Sequence, residues 1–205
     1  DWSSDVCSSD LIKPDIRILE ATLTLNATGL VNIWCPQVHE FQAHQDFYAQ
    51  RQAAGDQVWV YTCLSPGGPW LNRLLDQERL RQVYMGWALS KFGIQGYLHW
   101  GGNHHTPKPF EELVRFHMVG QYLPAGDSHV WYPLPAGPLS SHRFEAHRIG
   151  LEDFELLAQL KQHDPVRAQA VIARVVQGFD DYRKDVTAYR AARKLLLEAV
   201  DEQVK

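Results

Sequence analysis

The sequence is poor in the residues that would give an easy reading of its chemistry. Among 205 residues there are two Met and three Cys, Lys and Arg form no run, and no apolar stretch approaches the roughly 18 residues needed to span a bilayer. Three cysteines without metal-ligand spacing support neither a disulfide framework nor a zinc site, and Cys35 and Cys63 read as core thiols. With 20 basic and 24 acidic residues and a net charge of −4, the chain lacks the electrostatic footprint of a nucleic-acid binder. What it does have is 45% hydrophobic and 21% charged residues, which excludes a disordered tail and a coiled coil. Seven Trp, eight Tyr and eight Phe imply either a rigid core or a stacking surface, and composition does not choose between them.

Residues 1–11, DWSSDVCSSDL, carry no helix or strand period and resemble the conceptual translation of a sequencing adapter. They are set aside as a non-native segment. Asp1, Asp5, Asp10, Trp2 and Cys7 go with them, leaving 194 residues of net charge −1. On this reading the true N-terminus is unread and localisation stays open.

From there the pattern is regular. Ile16–Leu25, Val31–Cys35, Val58–Cys63 and Ile94–Trp100 read as strands, and VWVYTC as one buried on both faces. A mixed stretch over 41–54 and the amphipathic run Leu71–Phe92, closed by Gly93, read as helices. This alternation predicts βα units on a parallel sheet. A Pro- and Gly-rich region with a short β candidate at His129–Tyr132 follows, then helices over Ser140–Gln162, Val166–Gly178 and Asp180–Val204. Four parallel strands are too few for a closed barrel, which needs eight and about 250 residues, and no Gly-rich phosphate turn follows any strand. The expected fold is therefore α/β, the C-terminal half of a (β/α)8 barrel over 12–138 followed by a helical region over 139–205.

In such a barrel the chemistry sits at the C-terminal ends of the strands. Those positions here are rich in aromatic and hydrogen-bonding side chains and poor in carboxylates. Trp34, Tyr61 and Trp100 offer flat faces for the C–H side of a sugar ring, and Asn103 and His104 offer groups for hydroxyls. Ordinary barrel packing is the competing reading for each aromatic. His99, His104 and His105 invite a metal reading, yet their spacing matches no standard zinc motif. A catalytic carboxylate pair lies about 5 to 10 Å apart, and the strand ends offer Glu20 alone, with Asp127 in a later loop. The serines at 65 and 140–141 lack a nucleophile elbow. On helix Ser140–Gln162, Arg148 stands three residues after Glu145 and four before Glu152. That network is expected to clamp the helix to the barrel.

An ordered series of motifs carries a family resemblance: Tyr61-Thr62-Cys63 with Pro66 and Pro69; Asn72, Arg81 and Trp87; Gly96 to Trp100 with Asn103; Gly126-Asp127 with Tyr132-Pro133; and Ser141, Arg143, Glu145, Arg148, Gly150, Glu152 and Asp153. Over about 16–160 these resemble the C-terminal half of glycoside hydrolase family 123-like proteins, including the uncharacterised domain family numbered 4091. The resemblance implies a (β/α)8 barrel and a retaining β-N-acetylgalactosaminidase in which the substrate's own 2-acetamido group attacks the anomeric carbon, assisted by an adjacent Asp-Glu pair. In the family that pair lies N-terminal to the part matched. Here the adjacent pairs Glu152-Asp153 and Asp201-Glu202 fall on late helices. The expectation is a substrate-binding half, with Trp34, Tyr61, Trp100, Asn103 and His104 lining the subsite, no catalytic residue, and no metal or cofactor. Its partners would be a carbohydrate and the missing N-terminal half of its own barrel, with neither nucleic acid nor membrane. A non-catalytic carbohydrate-binding or structural module and, more weakly, a metal-dependent hydrolase are the alternatives.

Overall fold

The computed structural model describes residues 16–21, 24–116, 120 and 122–204, so the adapter-like segment 1–11 lies outside the described residues. Strands β1 (Leu19–Glu20), β2 (Ile33–Trp34), β3 (Gln57–Tyr61) and β4 (Gly96–Leu98) form one sheet in chain order, every neighbouring pair parallel. Helices α1 (Val38–Ala43) and α2 (Gln45–Ala53) connect β2 to β3, and α3 (Leu80–Phe92) connects β3 to β4. The predicted alternation and the α/β class are thus present, although each strand is shorter than its sequence run. Two small antiparallel pairs follow, β5 (Arg115–Phe116) with β6 (Tyr122–Leu123) and β7 (Tyr132–Leu134) with β8 (Gly137–Leu139). The chain ends in α4 (His142–His163), α5 (Pro165–Ile172) and α6 (Val186–Val204).

The two faces of the sheet are not equivalent. In β3 the residues alternate, with Val58 and Val60 fully buried and Gln57, Trp59 and Tyr61 half-buried, so the expected burial on both faces is not met. Parallel register carries the alternation across the sheet, because laterally paired residues point the same way. Trp34 pairs with Val58, and Tyr97 with Val60, on the face that the helices cover. Trp59 pairs with Gly96 and Tyr61 with Leu98 on the other face. A Cβ on Gly96 would lie 2.3 Å from the Trp59 ring, which is why the smallest residue stands there.

Helix α3 is buried from Arg81 to Ser90 on every side, as expected of a helix held between a sheet and further helices. It crosses α4 at Gly86 and Gly150, where the backbones touch. Gly93 closes it in the left-handed conformation at φ 65°. It begins at Leu80, not at Leu71. Asn72 donates its amide to the carbonyls of Cys63 (2.8 Å) and Pro66 (3.1 Å), tying residues 71–79 into a loop. Leu71 and Leu74 are buried from that loop, and their spacing imitates a helical face.

The C-terminal helices open at side-chain caps: Ser141 accepts from Phe144 N, Asp164 from Arg167 N and Asp185 from Thr187 N. Residues 173–185 are non-helical and insert Phe179 into the core, stacked on Phe92 at 5.5 Å and edge-on to Phe41. The fully buried Asp153 of α4 accepts from Trp87 Nε1 of α3 (3.0 Å), Tyr189 Oη (2.8 Å) and Arg193 Nε (2.7 Å) of α6. It therefore joins three helices. Glu145, Arg148 and Glu152 do not clamp α4 to the sheet as expected. All three side chains are 43–54% exposed and pair along the helix surface. Much of the aromatic excess goes into the core formed by Trp34, Phe41, Tyr48, Tyr84, Trp87 and Phe179.

Candidate functional site

The C-terminal ends of the strands bring a polar cluster together. After β2, Gln37 donates its amide to Tyr61 Oη at 3.1 Å, and Tyr61 N donates to Pro36 O at 2.9 Å, so the ends of β2 and β3 are tied. Burial raises the Tyr61 pKa, and the hydroxyl remains a neutral hydrogen-bonding group at neutral pH. Thr62 Oγ1 and Tyr97 Oη share a 2.5 Å hydrogen bond beneath this row. Burial pushes the Cys35 thiol up to about 12 and raises that of Cys63 as well, which keeps both protonated and unreactive.

The end of β4 is the most elaborate part. Trp100 is 45% exposed, yet its indole N–H donates to Oδ2 of Asp127 at 3.0 Å, and Asp127 is fully buried. His99 accepts from Gly101 N on Nδ1 at 3.2 Å, which leaves its proton on Nε2. That atom faces Asp127 Oδ1 at 3.3 Å, a polar contact rather than an aligned hydrogen bond. Burial lowers the His99 pKa to about 4 and outweighs the opposing pull of Asp127, so the imidazole is neutral at pH 7. The His99 and Trp100 rings stack at 6.3 Å, and His104 meets Trp100 edge-on at 5.4 Å.

The loop carrying Asp127 is held by two buried guanidinium groups. Arg73 donates to Asp127 O at 2.9 Å, and Arg143 of α4 donates to Gly126 O at 2.6 Å and His129 O at 2.7 Å. Burial lowers the Arg73 pKa to about 10, still fully charged at neutral pH. Asn103 is exposed beside this loop and forms a backbone bridge with His129.

The five predicted subsite residues therefore separate. Trp100, Asn103 and His104 share the β4 end, and Tyr61 stands at the end of the adjacent strand. Trp34 does not join them. Its register places it on the helix side, where it is fully buried, edge-on to Phe47 at 5.2 Å, with its indole N–H given to Asp56 at 2.8 Å. It is a core residue, and no sugar reaches it in this arrangement. Among the described residues no group of three His, Cys, Asp or Glu side chains is placed to hold a metal ion. His105, the third histidine of the suggested cluster, contacts Trp131 O through Nε2 at 2.8 Å instead. Gln37, Arg73 and Arg143, which the sequence reading did not place at the site, surround these positions, and Asp127, weighed there only as a loop carboxylate, is the anchor of Trp100.

The model of the glycoside hydrolase 123 catalytic domain matches residues 9–160, about three quarters of the sequence. The chain belongs to glycoside hydrolase family 123. The family match begins inside the adapter-like segment and ends within α4. A solved structure of a family 123 glycoside hydrolase from Clostridium perfringens, described for its glycolipid glycan hydrolysis, aligns with a TM-score of 0.64 at 14% identity. The alignment covers 91% of this chain and 36% of that one, so this family 123 chain spans just over a third of the length of the solved enzyme. At that identity the likeness concerns the fold. No curated protein matches the sequence.

Proposed function

We propose that the chain is the substrate-binding C-terminal half of a (β/α)8 retaining glycosidase acting on N-acetylhexosamine-type sugars. The sugar's 2-acetamido group serves as nucleophile, and the assisting Asp-Glu pair belongs to a part of the domain outside this sequence. The observation that carries the reading is Trp100, a half-exposed indole at the end of a parallel strand whose N–H is fixed by a buried carboxylate. An aromatic face held still in solvent beside Tyr61, Asn103 and His104 suits the apolar face of a pyranose ring and its flanking hydroxyls. Asp153, the carboxylate of one late Asp-Glu neighbour pair, is consumed in joining α3, α4 and α6.

The reading of a half barrel rests on the same sheet. Among the described residues, one edge each of β1 and β4 has no neighbouring strand. A cavity of about 310 Å³ also lies beside β4, where apolar Met85, Leu89, Val130, Trp131, Phe144 and Leu151 share the lining with Arg73, Gln82, Tyr97, His99 and His147. The apolar part of that wall suits side chains from the remainder of the domain.

The test is hydrolysis of an aryl N-acetylgalactosaminide, by the 205-residue chain alone and by a longer family 123 chain that contains it. No turnover by the first and turnover by the second is expected. Turnover by the short chain overturns the assignment of the catalytic pair to the missing part. Absence of turnover by both, with N-acetylgalactosamine still bound, turns the reading to a non-catalytic carbohydrate-binding module.

A further inference from the structure

We propose that Asp127 is a positioning residue that sets the orientation of Trp100 as a sugar-stacking plate. The proposal rests on the subsite reading above and adds a role for a residue that touches no sugar. His99 and Trp100 are consecutive, and in an extended strand their side chains would point to opposite faces. The strand ends at Leu98, and beyond it both rings turn to one carboxylate: Trp100 Nε1 reaches Oδ2 at 3.0 Å and His99 Nε2 lies 3.3 Å from Oδ1. The carboxylate is fully buried while the indole it holds is 45% exposed, so the anchor is dry and the plate is wet.

A charged acceptor makes a stronger hydrogen bond than a neutral one, and burial strengthens it further. Asp127 is in turn fixed from behind: Arg73 holds its carbonyl, and Arg143 holds the carbonyls of Gly126 and His129 on either side. The ring-on-ring contacts of His99 and His104 limit the remaining swing of the indole. An indole with a free N–H rotates about χ1 and χ2 and gives up that freedom when a sugar binds; an indole already clamped has less to lose.

The test uses the 205-residue chain, labelled with 15N, and free N-acetylgalactosamine as the probe. The Trp100 indole N–H resonance, assigned by its disappearance in Trp100→Phe, is expected to move upfield in Asp127→Asn, where the acceptor is no longer an anion. An unmoved resonance overturns the clamp. Sugar binding is expected to weaken about two- to tenfold in Asp127→Asn, the range of one ordered aromatic contact. The Asp127→Asn/Trp100→Ala double variant should bind no more weakly than Trp100→Ala alone, since the carboxylate acts only through the ring. Additive losses, or unchanged affinity in Asp127→Asn, overturn the positioning role. If Asp127→Asn does not fold, Trp100→Phe carries the test: it keeps a ring and removes the donor, and affinity equal to wild type overturns the proposal. A wild-type chain in which the sugar moves no Trp100 resonance overturns the subsite reading, and the indole displacement in Asp127→Asn still decides the clamp separately.

Discussion

Gly86 and Gly150 meet backbone to backbone where α3 crosses α4: a Cβ on Gly86 would stand 1.9 Å from the carbonyl oxygen of Gly150, and one on Gly150 would stand 2.6 Å from that of Val83. Two helices approach this closely only where side chains are absent. Replacing a helical Gly with Ala gains about 1 kcal/mol of intrinsic propensity. Overpacking against rigid atoms costs about 1 to 3 kcal/mol and sometimes more, and here the obstacle is main chain that cannot rotate away. Both Gly86→Ala and Gly150→Ala are therefore expected to lower the melting temperature in a thermal scan by circular dichroism. A rise in either would show that the helices slide apart at little cost.

Asp153 gives a second stability prediction with a different cause. It is fully buried and accepts hydrogen bonds from Trp87, Tyr189 and Arg193. Arg193 is a third exposed and can turn to water, but the donors of Trp87 and Tyr189 are buried, and each buried donor left without an acceptor costs about 1 to 3 kcal/mol. Asp153→Ala should lose stability on that scale in urea unfolding. Glu152→Ala, one residue earlier on the exposed surface, should change it by less than about 0.5 kcal/mol. Equal effects for the two neighbours would contradict the burial pattern.

Acid should weaken the fold through its histidines. Burial is the leading cause that lowers His99 and His129 to about 4 and His147 to about 3, with nearby Arg73 and Arg143 pushing the same way. A base whose folded pKa lies below its unfolded value of about 6.5 binds fewer protons in the native state. Its neutral form is then accommodated above pH 6.5, and stability is lost progressively as pH falls from there toward 4. The melting temperature should thus drop between pH 7 and pH 4.5. His147→Phe keeps a ring to stack on Tyr97, as the imidazole does at 5.7 Å. That variant should show a shallower drop if it folds to the wild-type midpoint at pH 7, and an unchanged slope would remove His147 from the account.

Much of the scaffold was legible because its signals are local. The βα alternation and the Gly93 stop both follow from residues next to one another. The errors arise where tertiary contacts imitate or override a local period. Leu71 and Leu74 are buried from a loop that Asn72 ties to Cys63 and Pro66, so apolar spacing there does not mean helix. Arg148 has the right spacing for a clamp but faces solvent, and the clamp is Asp153. For the candidate site, the strand ends are legible in the sequence and the faces of the strands are not. A two-residue β strand fixes its facing only through register, and Trp34 is placed on the helix side by its pairing with Val58. Asp127 lies 27 residues after the indole it holds, and nothing local links the two.

The clearest discrimination is between two tryptophans that sequence reasoning treated alike. Trp34 is fully buried among Phe47 and Tyr48 and bonded to Asp56. Trp34→Ala should remove a large core volume, with a loss of about 3 to 5 kcal/mol. On the proposed subsite reading, Trp34→Phe should leave the affinity for N-acetylgalactosamine unchanged wherever it remains folded. Trp100 is half exposed, so Trp100→Ala should cost less than Trp34→Ala, chiefly through the hydrogen bond lost to the buried Asp127, while removing the contact that the proposed subsite offers a pyranose ring. Urea unfolding of Trp34→Ala and Trp100→Ala, and sugar titration of Trp34→Phe and Trp100→Ala, give opposite orders of severity if the sheet faces are assigned correctly. Weakened sugar binding in folded Trp34→Phe would return Trp34 to the subsite and require that β2 be read one residue out of its present register, since a shift of one turns every side chain to the other face.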